Sequence, residues 1–214
     1  MKRYFFAFAL LAMTSTAALA GNSFLALQLT SGNADLATEL SSGFNGFAPA
    51  YSHSEWGFKG EFWNMMSEDY AFNLSAGIGL FSEENKPGAN AGLGDGTFKY
   101  TQSSWQFRVG GDRVVALGDR SYIFFGPGIE YWSGKAKFED GTIPASSYET
   151  ESVSRISLSG RIGGHTMIGE GWGITLQAGH KLGYASYEEA GAKSTWWPSS
   201  MDASGGLLFR FGGN

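Results

Sequence analysis

Bulky apolar residues recur at every second position in run after run of this chain, with small, polar or charged residues between them. In "SFLALQLT", Leu25, Leu27 and Leu29 oppose Ala26, Gln28 and Thr30; in "YSHSEWGFKGEFWN", Trp56, Phe58 and Phe62 oppose Glu55, Lys59 and Glu61. A two-residue period is the signature of an extended strand with unlike faces. Eight such segments follow one another. The third sets Tyr70, Phe72, Leu74, Ile78 and Leu80 against Asn73, Ser75, Gly77 and Gly79, and the fourth sets Trp105, Phe107 and Val109 against Gln102, Gln106, Arg108 and Gly110. The fifth places Ile123, Phe125, Ile129 and Tyr131 opposite Gly126, Gly128 and Glu130. In the sixth, Ile156, Leu158 and Ile162 oppose Arg155, Ser157, Ser159 and Arg161; in the seventh, Trp172, Ile174, Leu176, Leu182 and Tyr184 oppose Thr175, Gln177 and Lys181. The eighth, beginning near Asp202, ends in "GGLLFRFGGN", with Leu207, Phe209 and Phe211 on one side and Leu208 and Arg210 on the other. Only a short stretch around "NADLATELSS" carries a helical period.

The segments match the roughly 9 to 11 residues that a tilted strand needs to cross a bilayer, and several are longer. Their links alternate in length: those after the first, third, fifth and seventh are long, and the rest are as short as "MMSED", "LGDRS" and "GEG". This predicts an all-β fold, an eight-stranded antiparallel up-and-down transmembrane barrel with tight turns at the periplasmic end and four long loops outside. Parity alone does not say which face is inside. The polar face is built of Gly, Ser, Gln and scattered charges, which suits a narrow lumen better than a soluble exterior dense in Lys and Glu. Trp63, Tyr70, Tyr122, Tyr131, Trp172 and Tyr184, near strand ends, are expected in aromatic girdles at the membrane interfaces.

Composition sharpens this. Residues 1–20, "MKRYFFAFALLAMTSTAALA", join a basic start, an apolar run too short to span a bilayer and an Ala-Leu-Ala cleavage site, and read as a secretory signal peptide, leaving 21–214 as the barrel domain. The signal holds two of the 15 basic residues and none of the 20 acidic ones, so the formal charge falls from −5 to −7 without it, which argues against nucleic acid as a partner. Charged residues make up only 16%, against roughly 25% in soluble domains, while 32 residues are glycine. The chain has no cysteine, so stability comes from packing and hydrogen bonds.

The inward charges are Glu55, Glu61 and Glu130 against Lys59, Arg108, Arg155, Arg161, Lys181 and Arg210. Eight strands leave room for little more than side chains, so these are expected to plug the lumen rather than line an open pore. A turn centred on Asp119 would make Arg108 and Glu130 cross-strand partners, and Arg108→Met would then destabilise the barrel.

Catalytic, metal and cofactor sites are not expected. His53 has flanking serines near the outer rim, but adjacent strand residues point to opposite faces. His165 and His180 have no partner at a useful spacing; His180 falls on the lipid-facing parity, where a bulge or an interfacial position would relieve it. "GLGDG" does not join a strand to a helix as phosphate loops do, and the acidic pairs Glu83-Glu84, Glu139-Asp140 and Glu188-Glu189 read as solvated. Trp196 and Trp197 in "STWWPSS" are candidates for contact with a partner or a surface.

The signal peptide, the eight alternating strands, the alternating link lengths and the terminal "LLFRF" together resemble the small eight-stranded outer-membrane barrels of the OmpA transmembrane-domain and OmpX type. The resemblance is one of pattern over the mature chain. It implies the outer membrane as location, lipid and lipopolysaccharide as surroundings, a monomer, and Phe211 as the terminal aromatic read by the barrel-assembly machinery, although Gly212-Gly213-Asn214 follow it. The expected function is a non-enzymatic membrane scaffold with loops for surface interaction. A lipid A-modifying enzyme and a secreted soluble barrel with an apolar ligand are the alternatives; in the lipid A 3-O-deacylase family the histidine sits in a His-x-Ser motif that none of His53, His165 and His180 carries.

Overall fold

A computed structural model describes residues 23–34, 53–85, 98–140, 147–149, 152–189 and 192–211. Residues 1–22, and with them the signal-peptide expectation, lie outside the described residues, as do most of the long links. Eight long strands form the wall: β1 (Ser23–Ala34), β2 (His53–Met65), β3 (Tyr70–Asn85), β4 (Phe98–Ala116), β5 (Ser121–Asp140), β7 (Val153–Met167), β8 (Trp172–Glu189) and β10 (Ser199–Phe211). Two short pieces, β6 (Ser147–Glu149) and β9 (Ala192–Trp196), extend the wall at its loop end by pairing with β5 and β8. Every pairing is antiparallel and follows chain order, and β10 closes the sheet by pairing with both β1 (Leu27↔Leu207) and β8 (Ile174↔Leu207). The result is the expected closed up-and-down barrel, in which each of the eight long strands is paired on both sides.

The eighth stave starts earlier than the alternation suggests, at Ser199 rather than near Asp202, and β9 carries its register onward across Trp197-Pro198. Pro198 has no N–H to give to the ladder, but its carbonyl accepts from Gly183 N at 3.0 Å, so the stave is interrupted without losing its place. Pro127 interrupts β5 in the same way. Pairing with β4 lapses at Gly111–Asp112 and resumes at Arg113↔Phe125 in unchanged register.

Three tight turns close the lower end, sealed by backbone bonds such as Met66 N to Tyr70 O (2.8 Å), Leu117 N to Ser121 O (2.8 Å) and Ile168 N to Trp172 O (3.0 Å). Gly118 sits in the second of these with φ 144°, a conformation that side-chain-bearing residues avoid.

The two faces divide as the alternation requires. Leu29 (56% exposed), Phe58 (62%) and Leu176 (66%) stand on the outer wall, whereas Gln28, Lys59, Glu61, Arg108 and Thr175 are buried inside. A soluble barrel with an apolar interior would show the reverse, so that alternative is overturned. Twelve residues separate Trp172 from Tyr184 on the outer face of β8, about 40 Å of strand and about 30 Å of height at the usual tilt, enough for the hydrocarbon band. Phe62 is buried although it lies on the outward parity; its cross-strand neighbours there are Leu25 and Leu74.

The girdle expectation needs one correction. Tyr70, Trp172 and Tyr184 are exposed on the outer wall, and Tyr131 stacks there against Trp105 at 5.0 Å. Trp63 and Tyr122, however, point inward. With Phe24, Ala26, Ala71, Val114, Phe124, Met167 and Leu208 they form an apolar floor across the turn end of the lumen. The parity of Trp63 and Tyr122 matches that of Glu61 and Phe124, so closeness to a strand end is a weaker guide to a girdle than the face on which an aromatic falls.

Candidate functional site

Above the apolar floor the lumen is filled by a charge network built from seven of the eight long staves. Its hub is Arg161 of β7. Arg161 Nη2 and Nε reach the two oxygens of Asp112 on β4 at 2.5 and 3.2 Å, a forked pair of charge-assisted bonds. Nη1 donates to Glu61 Oε1 of β2 and to Gln177 Oε1 of β8, the latter at 2.9 Å. Glu61 also accepts from Trp63 Nε1 (2.5 Å) and Gln177 Nε2 (3.0 Å), with Lys59 Nζ 3.7 Å away. Gln28 of β1 takes bonds from Gln177 (2.7 Å) and from Ser204 of β10 (2.9 Å), and Asn73 of β3 donates to Asp112 at 2.6 Å.

The network rests directly on the floor. The Arg161 guanidinium lies over the Trp63 and Phe124 rings at 5.2 and 5.0 Å, as a cation placed on aromatic faces does. Below it His165 is buried against the same rings, at 4.3 Å from Trp63 and 4.7 Å from Phe124.

Nearer the outer end a second group forms around Glu130 of β5. Lys181 Nζ stands 2.8 Å from Glu130 Oε2 and 3.7 Å from Asp202, and Arg155 Nη2 is 3.6 Å from Glu130 Oε1. Arg155 also lies over the Trp132 ring at 5.2 Å. Higher still, on the exposed end of β5, Lys137 Nζ donates to Glu139 Oε1 at 2.5 Å; this bond holds the Glu139 carboxyl below its ordinary pKa and raises that of Lys137.

Of the inward charges read from the sequence, Lys59, Glu61, Arg108, Glu130, Arg155, Arg161 and Lys181 come together here. Glu55 lies on β2, but its side chain is outside the described residues. Arg210 keeps the parity of buried Leu208 but is exposed at the turn-end rim, where its backbone N donates to Gly171 O, so it is not part of the central network. The register places Arg108 opposite Glu130 as expected, yet the two do not form an ion pair. Arg108 instead bonds Asn73 and Ser159, lying flat where Gly110 and Gly128 leave room, because Lys181 and Arg155 already occupy Glu130.

Sequence reasoning missed Asp112 and Asp202 as inward charges, and Asn73, Gln28 and Gln177 as the neutral links. Asp112 shares the parity of Arg108 and lies within the fourth segment, so it was legible from the alternation itself.

The remaining candidates fall on the outer surface. Trp197 is exposed and packs edge-on against Tyr184 at 5.3 Å; Trp196 is half-buried and pairs with Ala185. Phe211 ends β10 opposite Ser23 and is exposed on the outer wall. His180 keeps its lipid-facing parity without a bulge, and its Nε2 is 2.9 Å from Ser199 Oγ across the strand pair, which gives the ring a polar partner within the apolar band. The side chain of His53 lies outside the described residues. Among the described residues no three His, Cys, Asp or Glu side chains are grouped to hold a metal.

No protein-family profile matches the chain, and no curated protein matches it in sequence. Among solved structures the chain is similar to Ail, the attachment invasion locus protein of Yersinia pestis, crystallised with the heparin analogue sucrose octasulfate: 14% identity, TM-score 0.51, covering 90% of this chain and all of that one. The outer membrane protein OprG of Pseudomonas aeruginosa (11%, TM-score 0.47, covering 90% and 97%) and Neisserial surface protein A (11%, TM-score 0.43, covering 90% and 98%) are also matched. The fold is thus that of the small OmpX-like outer-membrane barrels. The likeness to Ail is one of fold, and the outward apolar band is the surface that a membrane-spanning barrel presents to lipid.

Proposed function

We propose that this outer-membrane barrel is a non-enzymatic scaffold: a sealed, side-chain-filled wall that holds four long outer loops at the cell surface for interaction with a partner. The observation that carries the reading is the filled lumen. Arg161 bridges from β7 to Glu61 on β2 and Asp112 on β4, directly over an aromatic floor, so both a charge network and an apolar layer stand in the way of ions. With the interior occupied by interactions that stabilise the barrel, the loops are left to carry specificity, as loops on rigid scaffolds commonly do.

Ail was crystallised with a polysulfated sugar. The acidic balance of the present chain favours a partner that is not a polyanion. In the membrane the scaffold meets lipid and lipopolysaccharide through its apolar band, stands as a monomer, and offers Phe211 to the barrel-assembly machinery.

Planar-bilayer recording of the purified barrel tests the sealed lumen: the expected trace shows no steady conductance steps, and reproducible unitary openings would overturn the reading. Replacing the outer links with short turns should preserve the difference in gel mobility between unheated and boiled protein. Loss of that difference would make the links part of the fold rather than its cargo.

A further inference from the structure

We infer that the turn end of the wall holds one phospholipid with an ammonium-bearing headgroup, of the phosphatidylethanolamine class, its phosphate on Arg113 and one acyl chain in a groove that climbs from there. Arg113 of β4 follows the buried, inward Asp112 and so falls on the outward face, where it is exposed opposite Tyr70 on β3 and Phe125 on β5. Among the described strand residues it is the one cation on that face below the Trp105–Tyr131 stack, and it has no hydrogen bond or ion pair with any of them. A lipid-facing arginine turns its head toward the interface, where phosphate is the acceptor that its planar fork fits.

The charges below Arg113 select the headgroup. Asp69, in the turn before β3, is fastened beside it, since the Asp69 carbonyl accepts from Val114 N at 2.8 Å. Asp69 and its neighbour Glu68 are exposed, and neither carboxylate is paired with a described residue. A cation toward the hydrocarbon with carboxylates toward the water is the complement of a phosphate with an ammonium beyond it. A purely anionic headgroup would meet the same carboxylates with the wrong sign.

The wall above supplies a bed for the chain. Traced from stave to stave by paired residues, the row through Tyr70 and Arg113 passes Ala178 and Ala203 and returns to β3 at Leu80, ten residues nearer the loop end. A row of pairs therefore climbs the wall as it goes round it. Along this climb lies an open, mainly apolar groove of about 720 Å³. It starts at Ile123, diagonal to Arg113, crosses Gly164, and runs over Ala178 and Ala203 toward Trp56 with Leu176 as its lower wall. From Arg113 to Ala203 is four strand spacings, about 19 Å along the surface and about 12 Å of height at the usual tilt, close to the roughly 15 Å that one leaflet contributes. Short turns stand on the periplasmic side in barrels of this build, so the lipid comes from the inner leaflet and not from the lipopolysaccharide at the loop end. The site rests on the barrel spanning a membrane and is independent of what the loops bind.

The test is native mass spectrometry of the folded barrel released from detergent micelles that hold equal amounts of phosphatidylethanolamine and phosphatidylglycerol. The expected spectrum keeps one phosphatidylethanolamine on the barrel in preference to phosphatidylglycerol. Arg113→Gln should cut that retention about tenfold, as the loss of one charge-assisted bond does. Glu68→Gln with Asp69→Asn should remove the preference and keep the binding. Ala203→Phe, which fills the groove floor far from the headgroup, should weaken both lipids alike. Undiminished retention in Arg113→Gln, a parent that holds phosphatidylglycerol as well as phosphatidylethanolamine, or an unaffected Ala203→Phe overturns the site. All these positions are exposed, and the gel mobility of unheated samples reports folding separately. A folded barrel that keeps no lipid refutes the site alone, whereas a chain without heat-dependent mobility refutes the membrane barrel on which it rests.

Discussion

Removing the guanidinium of Arg161 tests the charge network at its hub. In Arg161→Met the aliphatic stem is roughly kept and five N–H donors disappear. The side chain is 5% exposed, and the carboxylates it serves are 1% exposed in Glu61 and 0% in Asp112. After the change Glu61 keeps Trp63, Gln177 and the more distant Lys59, and Asp112 keeps Asn73, so neither is orphaned but both lose their strongest partner. Removing one member of a buried pair costs about 3–5 kcal/mol, chiefly because a charge is left without compensation. The expected loss for the single variant lies in that range, read as a lowered urea midpoint with unchanged slope, followed by the fraction of protein that keeps folded gel mobility.

The charge origin of this loss has its own control. Neutralising the partners as well, in the triple variant Arg161→Met, Glu61→Gln, Asp112→Asn, removes the uncompensated charges and should restore most of the stability, since a whole buried ionic cluster is often replaceable at little cost. If the single variant stays within about 1 kcal/mol of the parent, a size typical of one ordinary hydrogen bond, the hub assignment is wrong. If the triple variant is no better than the single, the loss comes from packing over Trp63 and Phe124 rather than from charge.

Gly118→Ala should destabilise the barrel by about 1 kcal/mol through backbone strain alone, because a Cβ there meets nothing within 4 Å while φ is 144°; an unchanged midpoint would mean the turn relaxes freely. On the exposed end of β5, the Glu139 carboxyl should titrate below the usual glutamate value because Lys137 donates to it, and Lys137→Met should return it to normal in a carbon-detected NMR titration. A depressed carboxyl stabilises above its ordinary pKa, and the gain is lost as pH falls through the folded value. Both groups are solvated, so the thermal midpoint should barely move with that titration, and a large shift would place the pair in a drier setting.

The fold was legible because each strand has to serve two solvents at once. Lipid on one side and a narrow polar bore on the other impose alternation on segment after segment, and Leu27-Gln28-Leu29 or Trp105-Gln106-Phe107 cannot be assigned in any other way without turning a polar amide toward hydrocarbon. The register of β4 on β5 followed from the turn at Asp119. The pairing of side chains did not, because backbone register fixes which Cα atoms are opposite and leaves long side chains free to choose among several staves. Arg108 lies opposite Glu130 and bonds to Asn73 and Ser159; Arg161 reaches Glu61, a hundred residues away along the chain, across the bore. Such contacts depend on the curvature of the closed wall, which a period of two does not encode. The apolar floor escaped for a related reason: Phe24, Trp63, Phe124 and Leu208 are apolar residues on the polar parity, visible singly as irregularities and collectively only once closure brings four strand ends together.

That floor explains how so narrow a lumen can carry so much charge. A bore open to water at both ends would solvate Arg161 and its carboxylates and weaken each attraction by screening. The aromatic layer at the turn end closes one side, and the Arg161 guanidinium is held flat against it, so its bonds to Glu61 and Asp112 form in a drier setting where partner loss is expensive. The same bonds join staves that share no backbone ladder: β7 with β2, β7 with β4, and β8 with β2. Hydrogen bonds along the wall secure neighbours, and the interior network secures strands across the bore. A barrel braced in both ways has little need of its outer links for cohesion, so sequence in those links is free to vary with whatever they meet at the surface.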